Sequence, residues 1–371
     1  MKLLSPFGWL YGRIANVRNA LYDWGTFASH SLGARTISIG NITVGGTGKT
    51  PLVAFVAEIL SENGEKVCIL TRGYGRKNPK ARILVSDGEN VLVDAEIGGD
   101  EPVELAHRLA GKAVVIADAD RLLAAKWALR KFNVTAFVLD DGFQHRRAKR
   151  DLDIVCIDAT DQFGHGDVLP AGRLREPLEN LKRADAVVVT RANFLDDPER
   201  LKSQISNLNP AAPIFLSENR ISGLHTLEEF HAKTLSSQSN ARILTDEIDW
   251  SRLRAAGDPA NVDKEVRLTA FCALGNPDNF FNQLDAEFEK ELVIKLTLEI
   301  RKKFTDHHIY TQTHISLLEK QARESGIDAF LTTAKDAVKL KNLKFEIPCY
   351  VVEIETVISE PEKFRALVIA S

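Results

Sequence analysis

A glycine-rich turn between a short strand and a helical segment constrains the fold of this chain more than any other feature. The turn runs Gly40-Asn41-Ile42-Thr43-Val44-Gly45-Gly46-Thr47-Gly48-Lys49-Thr50. Consecutive glycines let backbone N–H groups converge on phosphate oxygens, and the following helix presents its positive end to them. The run departs from the common GxxxxGK[ST] pattern at its first glycine, where Thr43 stands. It predicts a nucleotide-binding P-loop, with Lys49 on the β- and γ-phosphates and Thr50 on magnesium.

A second apolar strand ends in two neighbouring carboxylates, in the run Phe137-Val138-Leu139-Asp140-Asp141. Ligands of open α/β sheets bind at the carboxyl edge of the strands, which is where Asp140 and Asp141 would lie. Successive strand residues point to opposite sides. One carboxylate can therefore hold magnesium while the other orients nearby groups.

Short β-branched apolar runs alternate with helical segments through the first half of the chain. Such runs suit parallel strands that are buried on both faces. We predict an α/β fold of the P-loop NTPase-like, doubly wound type, with a mainly parallel sheet, over residues 31–200. The runs lie at Thr36–Ile39, Lys66–Leu70, Ala113–Ala117, Ala136–Leu139, Leu152–Ile157 and Ala186–Thr190, and the helix after the turn at Thr50–Glu62.

The alternation resumes in a second, smaller α/β domain over residues 266–371. Residues 201–265 between the two are polar and weakly periodic, with a serine-rich patch at Ser236–Ser239, and we expect a variable insertion or linker there. The strands expected in the second domain are Leu268–Ala273, Leu292–Ile300, Ala329–Thr333 and Tyr350–Ile354, and the helices are His314–Ser325 and Pro361–Ala370.

Composition excludes several classes of protein. A chain of 371 residues with 44% hydrophobic and 27% charged residues suits two globular domains and is unlike a disordered protein. A net charge of -3 argues against a nucleic-acid partner. No run of 18 apolar residues is present, so no conventional transmembrane helix is expected. The widely spaced cysteines exclude a zinc ribbon and indicate a reducing compartment; they are Cys68, Cys156, Cys272 and Cys349.

Residues 1–30 contain a predicted amphipathic helix at 8–24. A basic amphipathic helix with aromatic residues can lie in a membrane interface. The alternative is a helix packed on its own domain, which the residues alone favour. The apolar stripe consists of Leu10, Ile14, Val17 and Leu21, flanked by Trp9, Tyr11, Tyr22 and Trp24.

A series of further motifs follows the P-loop in a specific order. They are TRGYGR at Thr71–Arg76, GDEP at Gly99–Pro102, DDGFQH at Asp140–His145, LPAGRLREP at Leu169–Pro177, FCALGNPDNFF at Phe271–Phe281, DHH at Asp306–His308 and TAKDAVK at Thr333–Lys339. The P-loop alone is generic, but this ordered set resembles the tetraacyldisaccharide 4'-kinase family, the lipid A 4'-kinases of Gram-negative bacteria. The resemblance covers nearly the whole chain, and residues 201–265 are its weak stretch.

The resemblance implies a reaction and a location. Such enzymes transfer the γ-phosphoryl group of ATP, with Mg²⁺, to the 4'-hydroxyl of a tetraacylated glucosamine disaccharide 1-phosphate, giving lipid IVA. They work at the cytoplasmic face of the bacterial inner membrane, and their C-terminal domain is expected to close over the nucleotide. Exposing a lipid CH₂ group to water costs about 0.8 kcal/mol. The enzyme must therefore reach its substrate at the bilayer, which shifts the interpretation of residues 1–30 towards a membrane-interface helix. We expect a monomer.

The resemblance also implies roles for individual residues. Asp100 and His307 match the proposed catalytic dyad, alongside Lys49 of the P-loop. Lys335 and Asp336 match a segment near the nucleotide base, in which Ala334 replaces a glutamate. The acids expected near magnesium are Glu101, Asp140 and Asp141, with Asp141 the nearer ligand, beside the Thr50 hydroxyl. The positions expected to support substrate or active site are Arg72, Tyr74, Arg121, Gln144, His145, Arg175 and Glu176.

The chemistry of these residue types fits phosphoryl transfer, which needs positioning, charge neutralisation and a proton acceptor. Asp100 could accept the hydroxyl proton, with His307 orienting it, although the sequence cannot show that they meet. Asp100 could instead cap the helix that begins near Pro102, and His307 could be an ordinary histidine. The arginines exceed what ATP needs and suit a second phosphate, or else form surface ion pairs; they are Arg72, Arg76, Arg121, Arg173 and Arg175.

Two other functions stay open on the residues alone. A P-loop nucleotide switch, such as a metal-insertion GTPase, would use Thr333–Asp336 to read guanine, but the chain lacks a cysteine–histidine metal cluster. An ATPase that acts on membranes without a kinase acceptor would hydrolyse nucleotide regardless of lipid disaccharide. Nucleotide preference and lipid dependence distinguish both from a kinase.

Overall fold

One mixed sheet of twelve strands runs through the protein, in the order β10-β9-β11-β12-β8-β7-β6-β1-β5-β2-β4-β3. The computed structural model describes residues 4–232, 250, 252–253, 265–291 and 295–371. Neighbouring strands are parallel except at β3–β4 and β8–β12. The strands are β1 Arg35–Asn41, β2 Val67–Thr71, β3 Ile83–Ser86, β4 Ala113–Ala117, β5 Ala136–Asp140, β6 Leu152–Asp158, β7 Ala186–Thr190, β8 Ile214–Thr226, β9 Val266–Cys272, β10 Leu296–Lys303, β11 Ala329–Thr333 and β12 Cys349–Ile358.

Helices cover the sheet, and the predicted α/β class is confirmed. The central strands β2, β4, β5, β6 and β7 are buried along their whole length, as parallel strands covered on both faces should be. The four cysteines are buried free thiols. The helices are α1 Ser5–Asp23, α2 Lys49–Glu62, α3 Ala95–Gly98, α4 Asp100–Arg108, α5 Arg121–Phe132, α6 Pro198–Leu208, α7 Leu227–Ala232, α8 Pro277–Phe288, α9 Gln312–Glu324, α10 Ala334–Ala337 and α11 Pro361–Ala370.

The expected linker at 201–265 is in part regular structure. Helix α6 and the 13-residue strand β8 lie there, while Ser236–Ser239 falls outside the described residues. Residues Ile214–Leu216 of β8 pair with β7, and Ser217–Thr226 pair with β12. The strand therefore joins the N-terminal lobe to the C-terminal lobe. Its many polar and half-buried residues hide the uniform apolar signal that marks the central strands.

Helix α11, which lies within the predicted C-terminal domain, packs on the N-terminal lobe. Phe364 is fully buried, and its ring stacks on Phe55 of α2 with centroids 6.0 Å apart. Arg365 pairs with Glu62 at 2.9 Å. The guanidinium of Arg35 on β1 also donates to the backbone carbonyl of Val368. The chain thus returns from the second lobe to cover the first.

Helix α1 packs on the N-terminal lobe through small residues. A Cβ atom added at Gly8 would lie 2.8 Å from the carbonyl oxygen of Val168, so the backbones are in close contact. The apolar stripe faces outwards: Leu10, Ile14 and Val17 are 52%, 59% and 59% exposed. Among the described residues no helix is long and apolar enough to cross a membrane.

Candidate active site

The P-loop lies between β1 and α2, as the sequence predicts. Gly48, with φ 71°, precedes the first turn of α2 in a left-handed conformation that glycine adopts without strain. The side chain of Asn41 donates to the Thr43 carbonyl at 2.7 Å and to the Thr47 hydroxyl at 2.9 Å, which ties the two ends of the loop together. Lys49 Nζ lies 3.4 Å from the Thr47 hydroxyl.

Asp140 and Asp141 follow β5 and have different surroundings. Thr71 donates to Asp140 at 2.8 Å, and burial, with Glu101 and Asp141 nearby, raises the pKa of Asp140 to about 6. Asp141, with φ 55°, turns towards two cations: Arg175 Nη1 donates to its two oxygens at 2.8 and 2.7 Å, and Lys49 Nζ lies 3.5 Å away. Burial alone would raise the pKa of Asp141, but Lys49 and Arg175 hold it below its usual range.

The structure brings Asp100 and His307 into contact across the two lobes. His307 Nδ1 lies 2.8 Å from Asp100 Oδ2, although 207 positions separate them. Asp100 is 5% exposed at the start of α4, so burial opposes its charge; the hydrogen bond to His307 and the nearby lysines outweigh this and lower its pKa. The same bond raises the pKa of His307.

Lys335 binds acids from both lobes. Its Nζ lies 3.2 Å from Glu101, 3.3 Å from Asp306 and 3.9 Å from Asp100. Burial disfavours the ammonium charge, but these carboxylates more than compensate and raise the pKa of Lys335. The cation of TAKDAVK therefore draws α4 and the Asp306–His307 turn together.

Asp336 does not reach this cleft. It is fully buried in the C-terminal lobe, where its carboxylate accepts from the Ala273 backbone N–H at 3.0 Å, the Thr333 hydroxyl at 2.8 Å and the Tyr310 hydroxyl at 3.1 Å. Lys339 lies 3.0 Å away. With these partners Asp336 holds the C-terminal lobe together, and it is not among the residues that line the cleft.

The predicted support residues divide into two groups. Near the Asp140 end, Arg72 bonds the hydroxyl of Tyr74 at 3.2 Å. The buried Arg121 guanidinium donates to the backbone carbonyls of Asp118 at 3.0 Å and Asp140 at 3.3 Å. Burial lowers the pKa of His145 to about 4, and this residue lies behind the cleft rather than in its lining.

The second group forms a chain of contacts from α1 to Asp141. Asn19 of α1 donates to the buried Glu176 at 2.8 Å. Gln144 donates to the same carboxylate at 3.0 Å and accepts from Arg175 at 3.4 Å. Arg183 forms an ion pair with Glu176 at 2.7 Å. Glu176 and Gln144 therefore position Arg175, which in turn holds Asp141.

Three residues in the cleft had no role predicted from the sequence, although one of them, Asp306, belongs to the DHH motif. Arg191 pairs with Asp158 and reaches the P-loop, Asp306 contacts Lys335, and Glu104 lines the cleft one turn after Asp100. Burial raises the pKa of Glu104 to about 7. Helical spacing from Asp100 could have indicated Glu104, whereas the other two depend on contacts between distant segments.

The cleft between the lobes holds about 840 Å³. Its lining includes the P-loop, the Asp140–Asp141 pair and α4 from the N-terminal lobe, and the segment after β9 and Lys335 from the C-terminal lobe. The loop can bind a phosphate chain, and His307, which contacts the buried Asp100, lines the same cleft. This arrangement defines the class of P-loop phosphotransferases.

Comparisons with known proteins narrow the class to a family. The family model described as tetraacyldisaccharide-1-P 4'-kinase (LpxK) matches residues 1–371. The tetraacyldisaccharide 4'-kinase of Desulfotalea psychrophila is 34% identical, over 96% of this chain and 94% of its own. That of Halothermothrix orenii is 35% identical, over 95% and 88%. The crystal structure of LpxK from Aquifex aeolicus in complex with ATP matches with a TM-score of 0.72 at 31% identity, over 100% of this chain and 98% of that one.

The chain therefore belongs to the tetraacyldisaccharide 4'-kinase family, as the order of its motifs predicted. The nucleotide-switch alternative is not favoured by this membership. The roles of the individual site residues rest on the geometry above.

Proposed function

We propose that this chain transfers the γ-phosphoryl group of ATP to the 4'-hydroxyl of a tetraacylated glucosamine disaccharide 1-phosphate, giving lipid IVA. The observation that carries the proposal is the contact between Asp100 and His307. It joins one residue from each lobe at a cleft that also contains the P-loop. A hydrolase or switch needs no proton acceptor for a sugar hydroxyl, whereas a kinase does.

Asp100 is the proposed proton acceptor. His307 donates to it and keeps the carboxylate charged despite its burial, so that Asp100 can take the proton of the attacking hydroxyl late in the transfer. Because the two residues belong to different lobes, the pair forms only when the C-terminal lobe lies against the N-terminal lobe, as it does here. Lys335 supports the same approach, since it binds Glu101 of one lobe and Asp306 of its own.

Lys49 supplies positive charge to the β- and γ-phosphates. In the structure it lies beside Asp141, and the incoming phosphate would compete for it. Arg175 stays with Asp141 and keeps that carboxylate ionised. Arg72 lines the cleft near Asp140 and is an arginine for the disaccharide phosphate to meet, whereas the buried Arg121 adds positive charge behind Asp140.

The donor atoms at the P-loop suit Mg²⁺. A magnesium ion takes oxygen ligands, usually one or two carboxylates together with substrate phosphates. The Thr50 hydroxyl and the carboxylates of Asp140 and Glu101 provide such a set, and among the described residues no group of three or more His, Cys, Asp or Glu side chains forms an all-protein cage. When bound, Mg²⁺ would neutralise charge on the phosphates. Arg175 already occupies both oxygens of Asp141, so we propose Asp140 as the nearer ligand, in place of the sequence preference for Asp141.

The apolar face of α1 is the proposed contact with the membrane. Phe7, Leu10, Ile14 and Val17 are exposed on a helix that its glycines already fix to the lobe. Arg13 and Arg18 on the same helix suit anionic lipid headgroups. We place the enzyme at the cytoplasmic face of the inner membrane, where its acylated substrate lies.

Transfer from γ-labelled ATP to tetraacyldisaccharide 1-phosphate in detergent micelles tests the function. We expect magnesium-dependent label on the 4' position, and a loss of about 10²- to 10⁴-fold in kcat in Asp100→Asn. Asp285→Asn, which removes a carboxylate from an exposed ion pair outside the cleft, is the control. A folded wild-type protein that hydrolyses ATP without labelling the lipid would contradict the kinase assignment. Full activity of Asp100→Asn would remove Asp100 from its role.

A further inference from the structure

Four carbonyl groups of the P-loop accept hydrogen bonds from side chains. Asn41 donates to the Thr43 carbonyl at 2.7 Å, and the Thr190 hydroxyl donates to the Thr47 carbonyl at 2.9 Å. Two arginines donate to the carbonyls that lie between these two positions: Arg173 to that of Val44, and Arg191 to that of Gly46. Neither arginine belongs to the P-loop motif, and they approach it from different segments of the chain.

Arg173 holds the first of these carbonyls. Its Nη2 donates to the Val44 carbonyl at 2.8 Å, and its Nη1 pairs with Asp161 at 2.7 Å. The backbone reinforces the contact, because the Val44 N–H donates to the Arg173 carbonyl at 2.8 Å. A Cβ atom at Gly45 would lie 2.3 Å from Arg173 Nη2, so the guanidinium crosses the loop in close contact, and the φ of 115° at Gly45 favours glycine there.

Arg191 holds the second carbonyl. It follows β7 in a left-handed conformation, with φ 57°, and its Nη1 donates to the Gly46 carbonyl at 3.0 Å. The same nitrogen pairs with Asp158 at the end of β6. Its side chain is 14% exposed, against 48% for Arg173. One nitrogen thus links a sheet carboxylate to the loop.

These contacts fix the direction of the loop amides. The C=O and N–H of a trans peptide point in opposite directions. A Val44 carbonyl that faces Arg173 turns the Gly45 N–H the other way, and a Gly46 carbonyl that faces Arg191 does the same for the Thr47 N–H. Backbone N–H groups aligned in this manner form the anion-binding concavity of a P-loop.

We propose that Arg173 and Arg191, each oriented by its aspartate, are positioning residues that preorganise the P-loop for the triphosphate of ATP. The inference rests on the proposed function in taking ATP as the ligand of the loop. It separates Arg173 from the arginines expected to bind the disaccharide phosphate, because its two terminal nitrogens are already committed to Val44 and Asp161.

The test measures ATP affinity by calorimetry with Mg²⁺ in the absence of lipid, together with KM for each substrate. We expect Arg173→Gln and Arg191→Gln to raise the dissociation constant of ATP about tenfold, with KM for the disaccharide within twofold of wild type. Arg301→Gln is the matched control: Arg301 is also 48% exposed and paired with an aspartate, but lies outside the cleft.

Conservative variants distinguish positioning from bulk charge. A lysine ammonium carries three donors, so Arg191→Lys can serve both Gly46 and Asp158 from one nitrogen and should keep more ATP affinity than Arg191→Gln. Asp161→Asn leaves the charge of Arg173 in place but frees its orientation, and should also weaken ATP binding.

ATP affinity unchanged in both folded glutamine variants would overturn the proposal. So would a raised KM for the disaccharide with normal ATP affinity, which would assign the arginines to the lipid phosphate. If a glutamine variant does not fold, Asp161→Asn and Asp158→Asn decide the same question. Wild-type protein that binds no ATP would instead reject the proposed function.

Discussion

At the scale of single residues, partners decide the charge of each buried carboxylate. Asp100 and Asp140 are both 5% exposed, so burial disfavours ionisation at both. Histidine and lysine neighbours lower the pKa of Asp100, whereas acidic neighbours help to raise that of Asp140 to about 6. Asp100 is therefore ionised and can accept a proton, whereas the charge of Asp140 would be stabilised by a bound cation.

Replacement of Lys335 should push apart the acidic residues that it holds together across the two lobes. Lys335→Met leaves Asp100, Glu101 and Asp306 without their shared cation, and like charges then repel. We expect kcat/KM to fall about 10²-fold in the lipid-labelling assay, by analogy with losses from displaced catalytic groups. Lys303→Met, which removes an exposed surface pair with Asp278, should keep the wild-type rate. A wild-type rate in Lys335→Met would mean that the acids hold their positions without it.

Replacement of Asp336 should affect folding rather than nucleotide binding. Asp336→Asn removes the charge that Lys339 pairs with and disturbs the contacts to Ala273 and Tyr310. We expect the free energy of unfolding, measured in urea, to fall by about 3 kcal/mol. The ATP affinity of the folded variant should be unchanged. A selective loss of ATP affinity with normal stability would instead support the sequence prediction that Asp336 binds the nucleotide.

At the scale of elements, α1 combines two faces with different purposes. Gly8 and Gly12 allow it to lie against the lobe, and the opposite face exposes an apolar stripe. A helix that packs on its own domain through its large apolar residues would bury Leu10, Ile14 and Val17. The two interpretations offered by the sequence are thus compatible, since small residues provide the packing and large ones remain available.

Charges placed on that stripe should prevent membrane binding. Ile14→Glu with Val17→Glu adds negative charge to the face that would enter the headgroup region. We expect binding to vesicles with anionic phospholipid, measured by co-sedimentation, to fall at least tenfold, with unchanged secondary structure. Leu317→Glu alters an equally exposed leucine (54%) on α9 and should have no effect. Vesicle binding that survives the double substitution would place the contact elsewhere.

The sequence predicted elements well where burial is uniform. Five of the six strands expected in the first half of the chain are buried throughout, and Asp140–Asp141 lies at the carboxyl end of one of them. The P-loop follows the sixth, β1, in which Arg35 alone is half-buried. Strand β8 was not predicted, because buried, half-buried and exposed residues follow one another along it. The contact of Asp100 with His307 was expected only from the family resemblance, since no local pattern encodes a meeting of residues 207 positions apart.

At the scale of the whole molecule, one sheet carries both lobes. Strand β8 changes partner from β7 to β12 at Leu216–Ser217, so the lobes are joined by hydrogen-bonded strands rather than by a loose chain. The cleft is formed where α4 faces the C-terminal lobe. There His107 stacks on Phe230 with ring centroids 5.1 Å apart.

Two partly buried histidines make this assembly sensitive to acid. Burial lowers the pKa values of His107 and His231 to about 4, below the value of about 6.5 expected in the unfolded chain. Between these values the unfolded chain binds protons that the native protein does not, so stability falls as the pH drops from about 6.5 to about 4. His107→Phe keeps an aromatic ring against Phe230. We expect its melting temperature to fall less between pH 7 and pH 5 than that of the wild-type protein. An equal loss in both proteins would exclude His107 as a source of the acid sensitivity.

The return of α11 to α2 has a consequence during synthesis on the ribosome. Glu62 meets Arg365 across 303 positions, and Phe55 meets Phe364. After the P-loop has left the ribosome, an apolar patch on α2 therefore stays uncovered until translation has passed residue 364. The nucleotide-binding lobe is synthesised first, but its packing is completed only when α11 has been synthesised. A messenger RNA truncated in the codons for α11 would therefore yield a protein whose helix α2 is exposed to water and to chaperones.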